Sequence, residues 1–191
     1  RRGDVDAALA GAAHVASASF RTAAIEHAFL EPEAVGPDGA TVADHRVHVY
    51  SPGQGAWEDR RQVASFLGLA AQDVLVTQVS TGGAFGGKED LSVQGQVALL
   101  ALVTGRPVLL KLTRRESIWF HVKRHPMWLD YTAGCDAEGN LVAVRARMTG
   151  DNGAYASVGG KVLERAAGHA CCPFRLFFND TATTEIYTNN P

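Results

Sequence analysis

Long hydrophobic runs are missing from this chain of 191 residues. No apolar stretch approaches the ~18 residues that a membrane-crossing helix needs, and no leader pattern opens the sequence. No membrane partner is therefore expected. Cysteine is scarce: Cys135, Cys171 and Cys172 are too few, with two adjacent, for a disulfide framework, so a reducing, cytoplasmic setting is expected. An excess of either charge is also missing. Eighteen basic residues against twenty acidic ones leave a net charge of -2, which excludes broad attraction to nucleic acid. Internal repeats and linker-like segments are absent too. What is present is ordinary globular material, 46% hydrophobic and 20% charged. At about 150 residues per domain the length suits one domain or slightly more. The chain opens on Arg1-Arg2 and closes on Asn189-Asn190-Pro191, which reads as a segment cut from something larger.

The pattern along the chain mixes helices and strands. Asp4 leads a short helix of alanines and leucine, with its charge at the favourable end of the helix dipole. His14 to Arg21 and His45 to Tyr50 alternate as strands do, and Ala34 to Ala43 reads as a turn-rich loop. Trp57 to Leu67 has the spacing of an amphipathic helix stopped by Gly68. Asp73 to Val79 predicts a strand, Asp90 to Val103 a helix, and Pro107 to Leu112 another strand. The polar stretch Thr113 to His125 has room for one helical turn. Trp128 to Cys135 and Leu141 to Met148 flank Ala137-Glu138-Gly139-Asn140 as a hairpin, and Lys161 to His169 is helical. Only one stretch reads as strand-helix-strand. An α+β fold with mixed sheets and packed helices is expected, not a doubly wound sheet.

The sharpest local feature is Thr81-Gly-Gly-Ala-Phe-Gly-Gly-Lys-Glu89, between a strand and a helix. Four glycines in six positions allow positive φ and a close approach of the backbone to a ligand. Their N–H groups, with the helix start that follows, suit an electron-rich group. Gly82 to Lys88 fits the first seven places of the phosphate-binding pattern G-x-x-x-x-G-K, so a phosphate- or nucleotide-binding module without redox chemistry is the alternative function. The eighth place, normally Ser or Thr, is Glu89, which would repel a bound phosphate by roughly a few kcal/mol at close range.

Further pieces accompany that loop. EHAFLEP spans Glu26 to Pro32, Gln54 precedes a helix ending VASFLGL, and TGRPV spans Thr104 to Val108. RRES (Arg114 to Ser117), KRHP (Lys123 to Pro126), DNGAYAS (Asp151 to Ser157), VLERAAGHA (Val162 to Ala170) and YTNNP (Tyr187 to Pro191) follow in order. The ordered set resembles the molybdenum hydroxylases, the xanthine dehydrogenase and aldehyde oxidase family, along nearly the whole chain. The segment is similar to the first molybdopterin-binding region of the large catalytic subunit. KEDLSVQ and KRHP resemble the bacterial xanthine-dehydrogenase-like members.

The resemblance implies a molybdenum-molybdopterin cofactor. The metal is held through the pterin and not by protein ligands, and electrons leave through 2Fe-2S clusters and FAD on other domains or subunits. Gly83, Ala84, Phe85 and Gly86 match the loop whose backbone N–H groups approach the molybdenum oxo ligand. Gln54 matches a glutamine that hydrogen-bonds the cofactor from another side, its amide able to donate to an oxo group. Glu89 matches a substrate-contacting glutamate, and Arg165 an arginine opposite it that stabilises negative charge on a substrate oxygen. That charged pair implies a purine or related N-heterocycle as substrate. Without the family, Gln54 reads as a solvated loop amide, Glu89 as a helix-start acid and Arg165 as a helix-surface arginine. The glutamate that acts as general base, and a cofactor-loop arginine, lie beyond residue 191 in the family, so residues 1–191 alone are expected to hold no cofactor tightly and to catalyse nothing.

Other candidates carry less. His121 and His125 have the spacing of helical zinc ligands, but Pro126 disfavours helix there, so a surface or core role is expected. Cys171-Cys172 lacks the spacing of a redox or metal pair. His27 and Glu31 lie four apart on a possible helix face, where structural hydrogen bonds are the expected role. Phe177 to Thr188 does not resemble the family's strand and is similar to translated sequencing-adapter DNA. It is expected to be non-native, and no function is read from residues 175–188.

Overall fold

The computed structural model describes residues 4–35, 39–43, 46–153, 156–170 and 177–179. In chain order they form α1 (Val5–Ala10), β1 (His14–Arg21), β2 (Ala40–Ala43), β3 (Arg46–Ser51), α2 (Ala56–Leu67) and a 3₁₀ turn (Ala71–Asp73). There follow β4 (Val74–Gln78), α3 (Gln94–Thr104), α4 (Arg114–Phe120), β5 (Met127–Cys135), β6 (Leu141–Gly150), α5 (Gly159–His169) and β7 (Phe177–Asn179). Helices accompany two sheets that each mix parallel and antiparallel pairs, so the fold is α+β. The chain divides into two compact units, residues 26–124 and residues 1–25 with 125–191.

The 26–124 unit is built on a three-stranded sheet ordered β2-β3-β4. β2 and β3 run antiparallel, while β3 and β4 run parallel, with α2 as the crossover between them. The alternation in Arg46–Ser51 buries Val47 and Val49 and turns Arg46, His48 and Tyr50 away from the core. Val47, Val49 and Val74 meet Val63 of α2 and Val97, Ala98 and Ala101 of α3 in one apolar cluster. Gly68 ends α2 in the left-handed conformation at φ 67°, a cap that glycine adopts without strain.

Three sequence expectations in this unit are corrected. Residues 40–43 are strand, not loop, because Ala40 pairs with Val49 and exchanges backbone hydrogen bonds with Val108 (2.8 and 3.0 Å). The segment Pro107 to Leu112 is not a strand of a sheet. It makes isolated bridges at Val108 and Lys111, since Pro107 has no N–H to continue a ladder. The third correction concerns α3, which starts at Gln94 rather than Asp90. The N–H groups of Leu91 and Ser92 are spent on the side-chain oxygens of Gln62 (3.2 Å) and Gln94 (2.8 Å), outside any helix. The glycine loop therefore does not run directly into a helix start.

The other unit has a four-stranded sheet ordered β1-β5-β6-β7. Its central hairpin turns at Asp136, whose Oδ1 accepts from the N–H groups of Glu138 (3.1 Å) and Asn140 (2.8 Å). Leu163 of α5 packs against Ala146 and Met148 of β6. Asp4 caps α1 by accepting from the Ala7 N–H at 3.1 Å. The expectations for Pro37, Asp38, His45, Ala154, Tyr155, Cys171, Cys172, Pro173 and Tyr187 to Pro191 lie outside the described residues, as do those for 175–188 except 177–179.

Candidate functional site

The glycine loop is held from two sides. On one side stands Gln54, at the end of the turn that follows β3. Its Oε1 accepts from the N–H groups of Gly86 (2.9 Å) and Lys88 (3.1 Å), and its backbone N–H donates to the Lys88 carbonyl at 3.0 Å. Its Nε2 donates to Glu89 Oε1 at 3.2 Å. Gln54 is thus a clamp, and one of its two amide hydrogens is already committed. The other amide hydrogen has no partner among the described residues.

On the other side lies the extended segment Glu26 to Glu31, which is not helical. Glu31 and Gly82 exchange hydrogen bonds: the Glu31 N–H donates to the Gly82 carbonyl at 3.1 Å, and the Gly82 N–H to Glu31 Oε2 at 3.0 Å. Lys88 is 2% exposed, with Nζ 2.9 Å from Glu31 Oε2 and 4.7 Å from the centre of the Phe29 ring. Burial raises the Glu31 pKa, but hydrogen bonds from Lys88 and the Gly82 N–H outweigh it and hold the carboxyl below its ordinary value. A lysine tied down in this way is unavailable to a phosphate. With Glu89 in the eighth place, the loop lacks both side chains of the nucleotide-binding pattern.

Between these supports the backbone is bent sharply. Gly83 and Gly86 have φ of 94° and 92°, and Phe85 itself sits at φ 53°, a strained region for a bulky residue. Ala84 is buried and is not at positive φ, so its methyl group is accommodated without strain. The Phe85 ring is 75% exposed. Gly87 donates to the Ala84 carbonyl at 2.8 Å, whereas the N–H groups of Gly83, Ala84 and Phe85 meet no acceptor among the described residues. A backbone bent this way offers donors to an electron-rich group outside the protein.

Glu89 is exposed at the end of the loop, in contact with Gln54. Arg165 belongs to the other unit. It is exposed on α5 with Lys161, Glu164, Gly168 and His169, around a concavity of ≈ 600 Å³.

Beneath the loop lie His121 and His27, which the sequence singled out, and Glu33, Ser51, Asp59 and Gln94, which it did not. His121 is buried, with Nε2 2.8 Å from Glu26 Oε1 and Nδ1 3.1 Å from the fully buried Glu33. The expected core role is the correct one. Burial, reinforced by the His121 charge, lowers the pKa of neighbouring His27. Asp59 is 1% exposed and accepts from Ser51 Oγ at 2.6 Å, and Ser51 Oγ in turn accepts from the Gly53 N–H (3.0 Å) and Gln94 Nε2 (3.1 Å). Periodicity held a signal for Asp59, which lies four residues before the buried Val63 on the same face of α2. Among the described residues no three His, Cys, Asp or Glu side chains are grouped to hold a metal ion.

Fold and loop together present a sharply bent backbone whose N–H groups at 83–85 meet no acceptor among the described residues. The family described as "Molybdopterin cofactor-binding domain" matches residues 1–191. The chain is 39% identical to the nicotinate dehydrogenase large molybdopterin subunit of Eubacterium barkeri, over 99% of this chain and 44% of that protein. It is 34% identical to a probable xanthine dehydrogenase subunit of Bacillus subtilis, over 98% of this chain and 25% of that one. Among solved structures, the aldehyde oxidoreductase of Desulfovibrio gigas shares its fold with a TM-score of 0.80 at 24% identity, covering 87% of this chain and 18% of that one. This chain belongs to the molybdopterin cofactor-binding domain family. It spans less than half the length of the curated relatives it matches.

Proposed function

We propose that this chain supplies one wall of a molybdenum-pterin site in an oxidoreductase that hydroxylates a purine or related N-heterocycle with oxygen from water. The observation behind this reading is the clamped loop with the N–H groups of Gly83, Ala84 and Phe85 left without acceptors. These residues fit the group. A metal held through its pterin needs uncharged donors and close backbone, not side-chain ligands, and the loop offers donors of that kind. When bound, the cofactor supplies the oxidative chemistry, and 2Fe-2S and FAD modules on other domains or subunits carry electrons away.

The residues of this chain bind and orient. Backbone N–H groups at 83–85 would hold the cofactor by hydrogen bonds, and Gln54 fixes the loop that presents them. Its uncommitted amide hydrogen would be a further donor to the group. Glu89 would accept a hydrogen bond from a ring N–H of the substrate. The Arg165 guanidinium stabilises negative charge on a substrate oxygen. Two relatives bear the names nicotinate dehydrogenase and xanthine dehydrogenase, and both named substrates are N-heterocycles.

The test purifies the protein with its native subunits and supplies xanthine, nicotinate and an aliphatic aldehyde in ¹⁸O-labelled water. Label is expected in the product from an N-heterocycle. Arg165→Met is expected to reduce that turnover by about 10²-fold or more, the scale of losing one transition-state charge partner. Oxidation of the aldehyde alone, or label absent from the product, overturns the reading.

A further inference from the structure

The two ends of the β2-β3-β4 sheet differ in chemistry. Where β3 and β4 finish, Ser51 and Gln78 lead into the Gln54 turn and the glycine loop. The other end, where β2 finishes and β3 and β4 begin, holds a separate cavity of ≈ 290 Å³. Arg46 and Ser51 open and close β3, which at ~3.3 Å per residue sets these ends roughly 16 Å apart.

Strand register builds one wall of that cavity. Thr41, His48 and Leu75 stand in a row across β2, β3 and β4 on the face turned away from the core, and Ala43 pairs with Arg46 in the adjacent row. His48 is held in place: its Nε2 lies 2.8 Å from Thr77 Oγ1, and its ring centre 4.2 Å from that of Tyr50. Helix α2 contributes Arg60, whose Nε donates to the Ala71 carbonyl at 2.7 Å and whose guanidinium carbon is 5.7 Å from the centre of the Trp57 ring. The same 3₁₀ turn that anchors Arg60 supplies Gln72 to the wall.

Positive charge here is uncompensated. Beyond Nε, the Arg60 guanidinium meets no acceptor among the described residues, and the exposed Arg46 side chain meets none at all there. No Asp or Glu among the described residues lines the cavity. Other arginines of the chain are committed: Arg61 pairs with Glu58, Arg145 with Asp6, and Arg114 donates to the Phe29 and Leu30 carbonyls. Two guanidinium groups match a phosphate group, which carries about -1.5 to -2 charges near pH 7 and presents three acceptor oxygens. A carboxylate, with one charge and two oxygens, would leave one of the two unmatched. The Thr41 hydroxyl and the Gln72 amide are further donors. The volume is close to the lower bound for small-molecule pockets, about 300 Å³, so it suits a small ligand.

We propose that this cavity is a binding site for a phosphate group, gripped by Arg46 and Arg60 and flanked by Thr41, His48 and Gln72. It lies away from the glycine loop and does not rest on the function proposed above.

Isothermal titration of the protein with its native subunits, at fixed ionic strength, uses inorganic phosphate and phenyl phosphate as probes. Saturable binding with a Kd of about 1 mM or tighter is expected. Arg46→Gln and Arg60→Gln are each expected to weaken it about tenfold or more, the scale of losing one charge-assisted hydrogen-bond partner. Arg46 supports no other contact among the described residues, so its variant separates lost binding from lost stability. Arg61→Gln removes the same charge from the next residue of α2, outside the cavity lining. That variant is expected to leave the Kd within about twofold, since an exposed charge is screened by salt. Tighter binding of phenyl phosphate identifies a phosphate ester as the ligand, and equal or tighter binding of inorganic phosphate identifies the free ion. Absence of saturable binding by both probes, binding unmoved by Arg46→Gln or Arg60→Gln, or an equal loss in Arg61→Gln overturns the proposal.

Discussion

At the scale of single residues, Gln54 and Asp59 divide one task. Gln54 accepts two loop N–H groups and donates to Glu89. Gln54→Leu keeps the bulk and leaves the Gly86 and Lys88 donors unpaired, a loss of about 1–3 kcal/mol for each donor that stays buried. Molybdenum content of the purified holoprotein is expected to drop at least tenfold, and an unchanged metal-to-protein ratio would contradict the clamp. Asp59 has a different signature. Its folded-state pKa of about 6 lies above the usual 3.8, so its contribution to stability is fully present below pH 3.8 and is lost as pH rises towards and through 6. A carboxyl raised that far corresponds to ~3 kcal/mol on the linkage scale. Asp59→Asn is therefore expected to raise the urea midpoint at pH 8 and to change it little at pH 4. Protonation of Asp59 thus strengthens the fold as a whole.

At the scale of elements, strands with clean alternation and helices with glycine stops were legible in the sequence. The alternating His45 to Tyr50 stretch gives β3, whose burial alternates, and Gly68 ends α2 as its position suggested. Two kinds of information were not legible. A strand as short as β2 has too few residues to show a period; it is fixed by pairing with the neighbouring β3 and by a single bridge from Ala40 to the distant Val108. The start of α3 at Gln94 is equally invisible locally, since the residues before it are held by the side chains of Gln62 and Gln94. The loop itself was legible because glycine is the only residue free at positive φ, but its supports were not. Ser51, Asp59 and Gln94 are far apart in sequence and chemically ordinary. One signal stood in plain view, the Thr113-x-x-Glu116 capping box. Thr113 Oγ1 accepts from the Glu116 N–H at 3.3 Å, and the Thr113 N–H donates to Glu116 Oε2 at 2.7 Å. It starts α4, whose Arg114 donates from Nη2 to the Phe29 and Leu30 carbonyls at 2.6 and 2.7 Å and so secures the segment beneath the glycine loop. Thr113→Ala is expected to cost about 1 kcal/mol in urea unfolding and to raise exchange at residues 29–31. Unchanged exchange there would mean that α4 does not support the segment.

At the scale of the whole molecule, charge and apolar exposure act together. The net charge is -2 at pH 7 and the isoelectric point is ≈ 6.4, so electrostatic repulsion between copies is weak near neutrality. Apolar side chains are nonetheless exposed, among them Leu30 (88%), Val103 (75%), Trp57 (74%) and Trp119 (71%). Helix α3 is apolar on both faces. Val97, Ala98 and Ala101 enter the core, while Leu99, Leu100 and Val103 lie at the surface, the composition of a helix that is covered on all sides. Attraction through such surface is opposed only by net charge, which vanishes near pH 6.4 and grows on either side. Light scattering of the purified chain is therefore expected to peak near that pH and to fall towards about pH 8.5. Val103→Glu adds one negative charge and removes apolar surface, so it should lower the peak and shift it to more acidic pH. A scattering profile flat across this range, or unmoved by Val103→Glu, would mean that these side chains do not drive association.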